Sequence, residues 1–408
     1  MDVHGADETM VLRSGIFAGK NGTRIDFPLL SCKNVHAYIK RFRRPARKGI
    51  SRLQPGEACS WRGGRKVATR REVAELAGVS EATVSRVLNG IGPVREETRR
   101  RVLEAARKLN YQIHALAASF ARGRSGNLGV VLPHVPKVRL FSTYYFSEML
   151  GGIGEVTRER GMGLLLLYRT PGEVYDYVPL FRSVRIDACI VLGASSLPEE
   201  EAGIRAMADE GLPCCLIDHR SEDGRASSVG AAHEEGSARA VKHLIERGYR
   251  KIGFLNGSPW YSPSREREAG YLRALREAGL TPDPKLVFAG NYSLTSGRSA
   301  AEDVYARIRD LDAVFVANDR MAIGLMQALR DRGVRVPDDL AIVGCDDSDL
   351  AGLTDPPLTS VRVPFVEMGR TAAERLLDRL PEWRGTESVF HETLPTELVV
   401  RESSAPRP

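Results

Sequence analysis

Residues 69–89 read TRREVAELAGVSEATVSRVLN, and this stretch decides how the rest of the chain is read. Thr69 followed three positions later by Glu72 is a capping box, the reciprocal pairing that opens a helix. Val73, Leu76 and Ala77 then recur at helical spacing, so a short amphipathic helix runs to Gly78. Ser80 can cap a second helix, in which Val84, Val87 and Leu88 form an apolar stripe. Its outward stripe carries Glu81, Ala82, Ser85, Arg86 and Asn89. Two such helices joined through Ala77-Gly78-Val79 make a helix-turn-helix. Arginine reads guanine, a carboxylate accepts from the amino group of cytosine, and hydroxyls and amides bind phosphates. A helical hairpin with merely solvated charges has the same spacing, so the flanking sequence has to decide.

Downstream, Pro93 to Thr98 leads into a third helix with Val102, Ala105, Ala106 and Leu109 on one face, ending at Asn110-Tyr111. That makes a three-helix headpiece over residues 67–111. The runs VAELAGVSEATVSRVLNG and VREETRRRVLEAARKLNY closely resemble the DNA-binding headpiece of the lactose-repressor (LacI/GalR) family, and the resemblance extends over residues 67–404. It implies operator contacts from Thr69, Arg71, Ser80, Glu81, Ala82, Thr83, Ser85, Arg86 and Asn89.

The charge is unevenly placed. Residues 1–66 hold 14 Lys+Arg against 5 Asp+Glu, residues 67–126 hold 11 against 6, and the remainder 34 against 41. A basic front on an acidic body suits a polyanion partner for the front alone. Residues 1–66 lack periodicity, and the basic cluster Lys40 to Lys48 has no apolar face to fold onto; a disordered extension is expected there. It is either an added nucleic-acid arm or an over-extended start. The six cysteines form no CxxC pair, and four lie inside apolar runs, where a free thiol packs as a small core residue. No run reaches the roughly 18 apolar residues of a membrane span and no secretory signal is present, so a cytoplasmic protein without membrane contact is expected.

Residues 112–126, QIHALAASFARGRSG from Gln112, read as a linker. The resemblance implies that it becomes a hinge helix on the operator, with Phe120 wedged into the minor groove and Ala117 one turn earlier allowing close approach. A flexible tether is the other reading of those residues.

From Asn127 the pattern changes to apolar strands alternating with amphipathic helices. LGVVL (128–132), GLLLLY (163–168), ACIVLG (188–193) and CCLID (214–218) form one set; IGFLNG (252–257), AVFVAN (313–318) and LAIVGCD (340–346) form a second. Helices over residues 200–211, 237–248, 265–279 and 321–333 lie between them. Buried strands alternating with helices imply parallel sheets covered on both faces. The expected fold is α/β: the headpiece followed by a two-lobed, periplasmic-binding-protein-like body of doubly wound parallel sheets. Lobe 1 is expected over about 127–248 and 361–385, and lobe 2 over about 249–357 and 388–402.

In such sheets the ligand crevice lies beyond the carboxyl ends of the strands. That rule selects Ser195-Ser196, Asp218, Asn318-Asp319 and Asp346-Asp347. Carboxylates and amides around an arginine suit a polyhydroxy ligand, whose hydroxyls both donate and accept. Each residue alone would serve equally as a helix cap. The resemblance adds Arg267 as the effector clamp, Tyr292 as a stacking ring, and Tyr145 or Phe146 from the first lobe. Ala232-His233 departs from the family's commoner Asp-Asn pair, and His219, His233 and His243 are expected to be ordinary polar residues.

The expected function is a sequence-specific DNA-binding transcriptional regulator, a homodimeric repressor of carbohydrate-utilisation genes. Its affinity for double-stranded operator DNA is switched by a small effector, a sugar, bound between the lobes. No cofactor and no metal are expected. A solute receptor would need export, and an enzyme would need a motif such as GxSxG, HExxH or a Walker loop, none of which occurs.

Overall fold

The computed structural model describes residues 68–89, 92–111, 124–134 and 143–405. The expected extension over residues 1–66 and the hinge residues Ala117 and Phe120 lie outside them. Helices α1 (Arg70–Ala77), α2 (Glu81–Asn89) and α3 (Glu96–Lys108) form the headpiece. Thr69 starts α1 with both halves of the capping box: its backbone N–H donates to Glu72 at 2.7 Å, and its hydroxyl accepts from the Glu72 N–H at 3.3 Å. Such caps are worth about 0.5–2 kcal/mol. Gly78 ends the helix at φ 64, a conformation that glycine reaches without a Cβ clash. One fully buried valine from each helix, Val73, Val84 and Val102, meets in the core, with Ala74, Ala77, Val87, Ala105 and Ala106 around them. Leu76, expected on that face, is 53% exposed. At about 100° per residue it points well away from the direction shared by Val73, Ala74 and Ala77.

The body contains two six-stranded sheets. The first has the order β11-β5-β4-β3-β1-β2, using β1 (Asn127–Pro133), β2 (Gly163–Arg169), β3 (Ala188–Leu192), β4 (Cys214–Ile217), β5 (Ser227–Ala231) and β11 (His391–Leu394). All its pairings are parallel. The second has the order β12-β10-β9-β8-β6-β7, using β6 (Ile252–Asn256), β7 (Val287–Ala289), β8 (Ala313–Val316), β9 (Ala341–Asp346), β10 (Thr359–Arg362) and β12 (Glu397–Val399). Only β12 runs antiparallel to its neighbour. Alternation explains the unbroken apolar runs: β1 sends Leu128, Val130 and Leu132 into one cluster and Val131 into another. Cys189, Cys214, Cys215 and Cys345 are buried free thiols within these cores, and burial pushes the Cys214 and Cys345 thiols up to about 12. β2 is an edge strand with Leu164 and Tyr168 exposed, although its sequence is as apolar as that of a central strand.

Helices α4 (Tyr144–Glu159) and α11 (Phe365–Arg379) pack together on the first sheet, whose remaining helices are α5 (Val178–Arg182) and α6 (Pro198–Asp209). In the second lobe α7 (His233–Glu246) packs on α8 (Ser262–Glu277), and α9 (Leu294–Ala306) on α10 (Asp319–Arg330). The α4–α11 pair approaches so closely that a Cβ at Gly152 would lie 2.0 Å from the Val366 carbonyl oxygen. Sheet membership moves the expected lobe limits. α7 packs against β8, β10 and β12, so residues 233–246, assigned by sequence to lobe 1, belong with the second sheet. β10 joins the second sheet, including residues 361 and 362, and β11 joins the first. The short strands β5, β10, β11 and β12 mark the crossings between lobes, and short half-polar strands carry little hydrophobic signal.

Candidate functional site

The ends of the central strands point into the cleft between the lobes. Six non-glycine residues among those described have positive φ, and three of them are Asp218 (φ 59), Tyr292 (φ 65) and Asp346 (φ 121). Each such conformation costs on the order of 1–3 kcal/mol and persists where surrounding structure imposes it. All three positions were selected from sequence.

A chain of contacts connects them. Asp218 Oδ1 lies 2.9 Å from His233 Nε2, and His233 Nδ1 lies 3.2 Å from Arg267 Nη2. Arg267 Nη1 donates to the Tyr292 hydroxyl at 3.5 Å, its guanidinium is 6.0 Å from the centre of that ring, and Tyr292 also hydrogen-bonds Ser264. Burial acts to lower the Arg267 pKa, but Cys345, Tyr292, Asp346 and Asp218 together raise it, holding the guanidinium charged. Burial pushes Asp346 well above the usual carboxylate range, Asp319 adds to the rise, and Arg267 opposes it. Tyr145 is raised by burial and by Asp218, with Arg267 opposing, which places its phenol in the same field; its ring stands 4.8 Å from that of Phe146. Asp218 Oδ2 and Arg267 Nε are buried without hydrogen-bond partners. One acceptor and one donor are thus left unsatisfied inside one connected cluster, each costly unless a ligand completes it.

The cleft is not all as expected. Asn318 serves as the N-cap of α10, accepting from the Met321 N–H at 3.0 Å and donating to the Tyr292 carbonyl at 3.2 Å. Ser195 is buried behind the cleft, where its N–H donates to Glu200 at 2.7 Å; Ser196 instead reaches the other lobe, donating to the Trp260 carbonyl from its N–H at 2.8 Å and its hydroxyl at 2.9 Å. Two of the three histidines expected to be ordinary lie in the cleft. His233 links Asp218 to Arg267, and His219 joins Glu201 at 2.6 Å to Ser262 at 3.1 Å, tying α6 to α8. His243 meets Ser404 at 2.8 Å, away from these groups. The sequence marks His233 only as a departure from the family pattern, because the strand that delivers it, β5, is too short and polar to stand out. A cavity of about 420 Å³ opens on the Asp218 and His233 side, with Glu266 and Arg273 also on its wall.

Beneath the cleft, Asp319 accepts from the Ser348 N–H at 2.7 Å, the Ser348 hydroxyl at 3.0 Å and the Ser360 hydroxyl at 2.6 Å. Burial nevertheless pushes its carboxyl up to about 6. A carboxyl whose folded pKa is raised binds its proton more tightly in the native state, so its contribution to stability is lost as pH rises from about 4 through about 6. Asp319→Asn is therefore expected to gain stability relative to the parent as pH rises from 4 to 7, read from paired melting curves. An unchanged difference would contradict this assignment.

On α2, Glu81, Ala82 and Arg86 are exposed, and Glu81 pairs with Arg70 at 3.3 Å. Ser80 is used locally: its hydroxyl accepts from the Thr83 N–H at 3.2 Å and lies 2.9 Å from the Thr83 hydroxyl. Arg71 pairs with Glu75 at 3.1 Å, and Ser85 is half-buried. Among the described residues no helix is long and apolar enough to cross a membrane. No cluster of three or more His, Cys, Asp or Glu among them could hold a metal ion.

Comparison with known proteins agrees with this arrangement. Residues 69–113 match the family described as bacterial regulatory proteins, lacI family, and residues 241–404 match a periplasmic binding protein-like domain. The HTH-type transcriptional repressor PurR of Vibrio atlanticus (strain LGP32) is 34% identical over 330 residues, covering 79% of this chain and 95% of its own. A transcriptional regulator CelR–cellobiose complex is 31% identical with a TM-score of 0.60, covering 82% of this chain and 99% of its own. The lac repressor dimer bound to operator and the anti-inducer ONPF is 27% identical with a TM-score of 0.70, covering 83% of this chain and 100% of its own. The chain belongs to the LacI family: it is a DNA-binding, ligand-regulated transcriptional repressor and not an enzyme.

Proposed function

We propose that this repressor controls carbohydrate-utilisation genes and that its effector is a sugar bound between the lobes by Asp218, Arg267, Tyr292 and Asp346, with Tyr145 and Phe146 flanking it. The unsatisfied pair Asp218 Oδ2 and Arg267 Nε carries this reading. A sugar hydroxyl donates to the first and accepts from the second, and neighbouring hydroxyls repeat that chemistry along a ring. Asn318 and Ser195 act in support, one by capping α10 and the other by holding the loop that ends in Ser196. The relatives named PurR favour a purine as the second reading. A gel shift on upstream operator DNA, with and without a panel of mono- and disaccharides and of purine bases, separates the two. Release or strengthening by a purine alone would overturn the sugar.

The same reading assigns operator recognition to α2 and its surroundings: Thr69, Arg71, Ser80, Glu81, Ala82, Thr83, Ser85, Arg86 and Asn89. The hinge residues Ala117 and Phe120 take the minor groove of a dimer-bound site. Arg86 is exposed, and no hydrogen bond or ion pair engages it among the described residues. Arg86→Ala is expected to weaken operator binding by about 1–3 kcal/mol and to relax base preference at one position. Equal losses on operator and random DNA, measured by fluorescence anisotropy at one salt concentration, would reduce Arg86 to a phosphate contact.

A further inference from the structure

A second cavity, of about 440 Å³, opens at the mouth of the cleft. Trp260, Arg265, Arg220, Glu222 and Ser196 line it. The Trp260 side chain is 51% exposed, an unusual position for an indole unless something covers it. Its backbone is held from the opposite lobe, since Ser196 donates twice to the Trp260 carbonyl. Arg265 Nη1 reinforces the junction, donating to the Ser196 hydroxyl at 2.9 Å and to the Pro259 carbonyl at 2.8 Å. The indole platform is therefore placed by contacts between the lobes. Arg220 and Glu222 are exposed on the wall, and neither makes a hydrogen bond or ion pair within the described residues. Arg220 also lines the inner cavity that contains Asp218 and His233, so the two spaces share a wall.

An exposed aromatic face flanked by a free guanidinium and a free carboxylate matches one kind of ligand well. The apolar face of a sugar ring covers the indole, and its equatorial hydroxyls meet the charged groups at the ring's edge. Resting on the reading that the effector is a sugar, we infer that the effector has at least two linked sugar rings. One ring sits at Asp218 and Arg267, and the next stacks on Trp260 between Arg220 and Glu222. Because the platform depends on contacts between Ser196 and the Trp260 backbone, the second ring binds the approximated lobes best. The mouth subsite thereby adds to the differential affinity that drives the switch.

The test is calorimetric titration of the full-length protein with glucose, galactose, cellobiose, maltose and lactose, followed by Trp260→Ala and Trp260→Phe. At least one disaccharide is expected to bind tenfold or more tightly than either of its constituent monosaccharides. Trp260→Ala is expected to remove about that tenfold while leaving monosaccharide affinity within about twofold, and Trp260→Phe to restore most of it. Circular dichroism melts identical to the parent's exclude misfolding as the cause. Monosaccharides binding as tightly as every disaccharide, or equal losses for both classes in Trp260→Ala, would overturn the subsite and leave the sugar reading standing. Binding by none of the five sugars would overturn both.

Discussion

Arg267→Ala is expected to abolish the response to effector at concentrations that saturate the parent protein. The guanidinium faces Asp218 through His233, faces Tyr292 directly, and offsets the raised pKa of Asp346. Truncating a buried charge of this kind costs about 2–5 kcal/mol of ligand affinity, partly because its partners are left unpaired. Operator affinity without effector should stay within about 1 kcal/mol, since changes at distant sites without shared partners combine almost additively. The measurement is a pair of effector titrations followed by anisotropy of labelled operator. An Arg267→Ala protein that binds effector normally would remove Arg267 from the site.

Glu200→Ala is expected to be the most destabilising single change at the cleft. Arg169 Nη1 lies 2.5 Å from Glu200 Oε1, with both side chains almost completely buried, at 2% and 3% exposure. The same carboxylate accepts from the Ser195 N–H, and Arg169 also donates to the Gly193 carbonyl at 2.5 Å. The pair therefore fixes the loop whose next residue, Ser196, contacts Trp260. Removing one member leaves an uncompensated buried guanidinium, which costs about 3–5 kcal/mol. A lowered melting temperature and weakened effector binding are expected together. A Glu200→Ala protein melting with the parent would show that water or a rearranged side chain neutralises Arg169.

Much of this was legible in the sequence, for identifiable reasons. The headpiece could be read because capping, the turn glycine and the valine spacing all specify one short local structure. Central strands such as CCLI and AVFV announce themselves by apolar runs, and the rule about strand carboxyl ends then finds Asp218 and Asp346. Crossover strands stay hidden, since SSVGA, TSVR and HETL are too short and polar to stand out, and GLLLLY reads as a strand without showing that it lies at an edge. Without β5, the sequence alone puts α7 in the wrong lobe and leaves His233 an ordinary polar residue. Roles that depend on a partner far along the chain were equally hidden. Whether Asn318 caps or binds is decided by Met321 and Tyr292, and the Trp260 backbone is held by Ser196 from the other lobe.

The central claim is that one ligand bridges Asp218 on the first lobe and Arg267 on the second, and that this bridging is coupled to DNA binding. Coupling between sites is reciprocal, and typical values are about 1–3 kcal/mol, or about 5–150-fold in affinity. The most direct test is calorimetric titration of one binding sugar into the free protein and into its saturated complex with operator DNA. The sugar's dissociation constant should differ between the two by a factor in that range, and the operator's dissociation constant should change by the same factor when the sugar is added. Identical sugar affinities in the free and operator-bound protein would contradict the account.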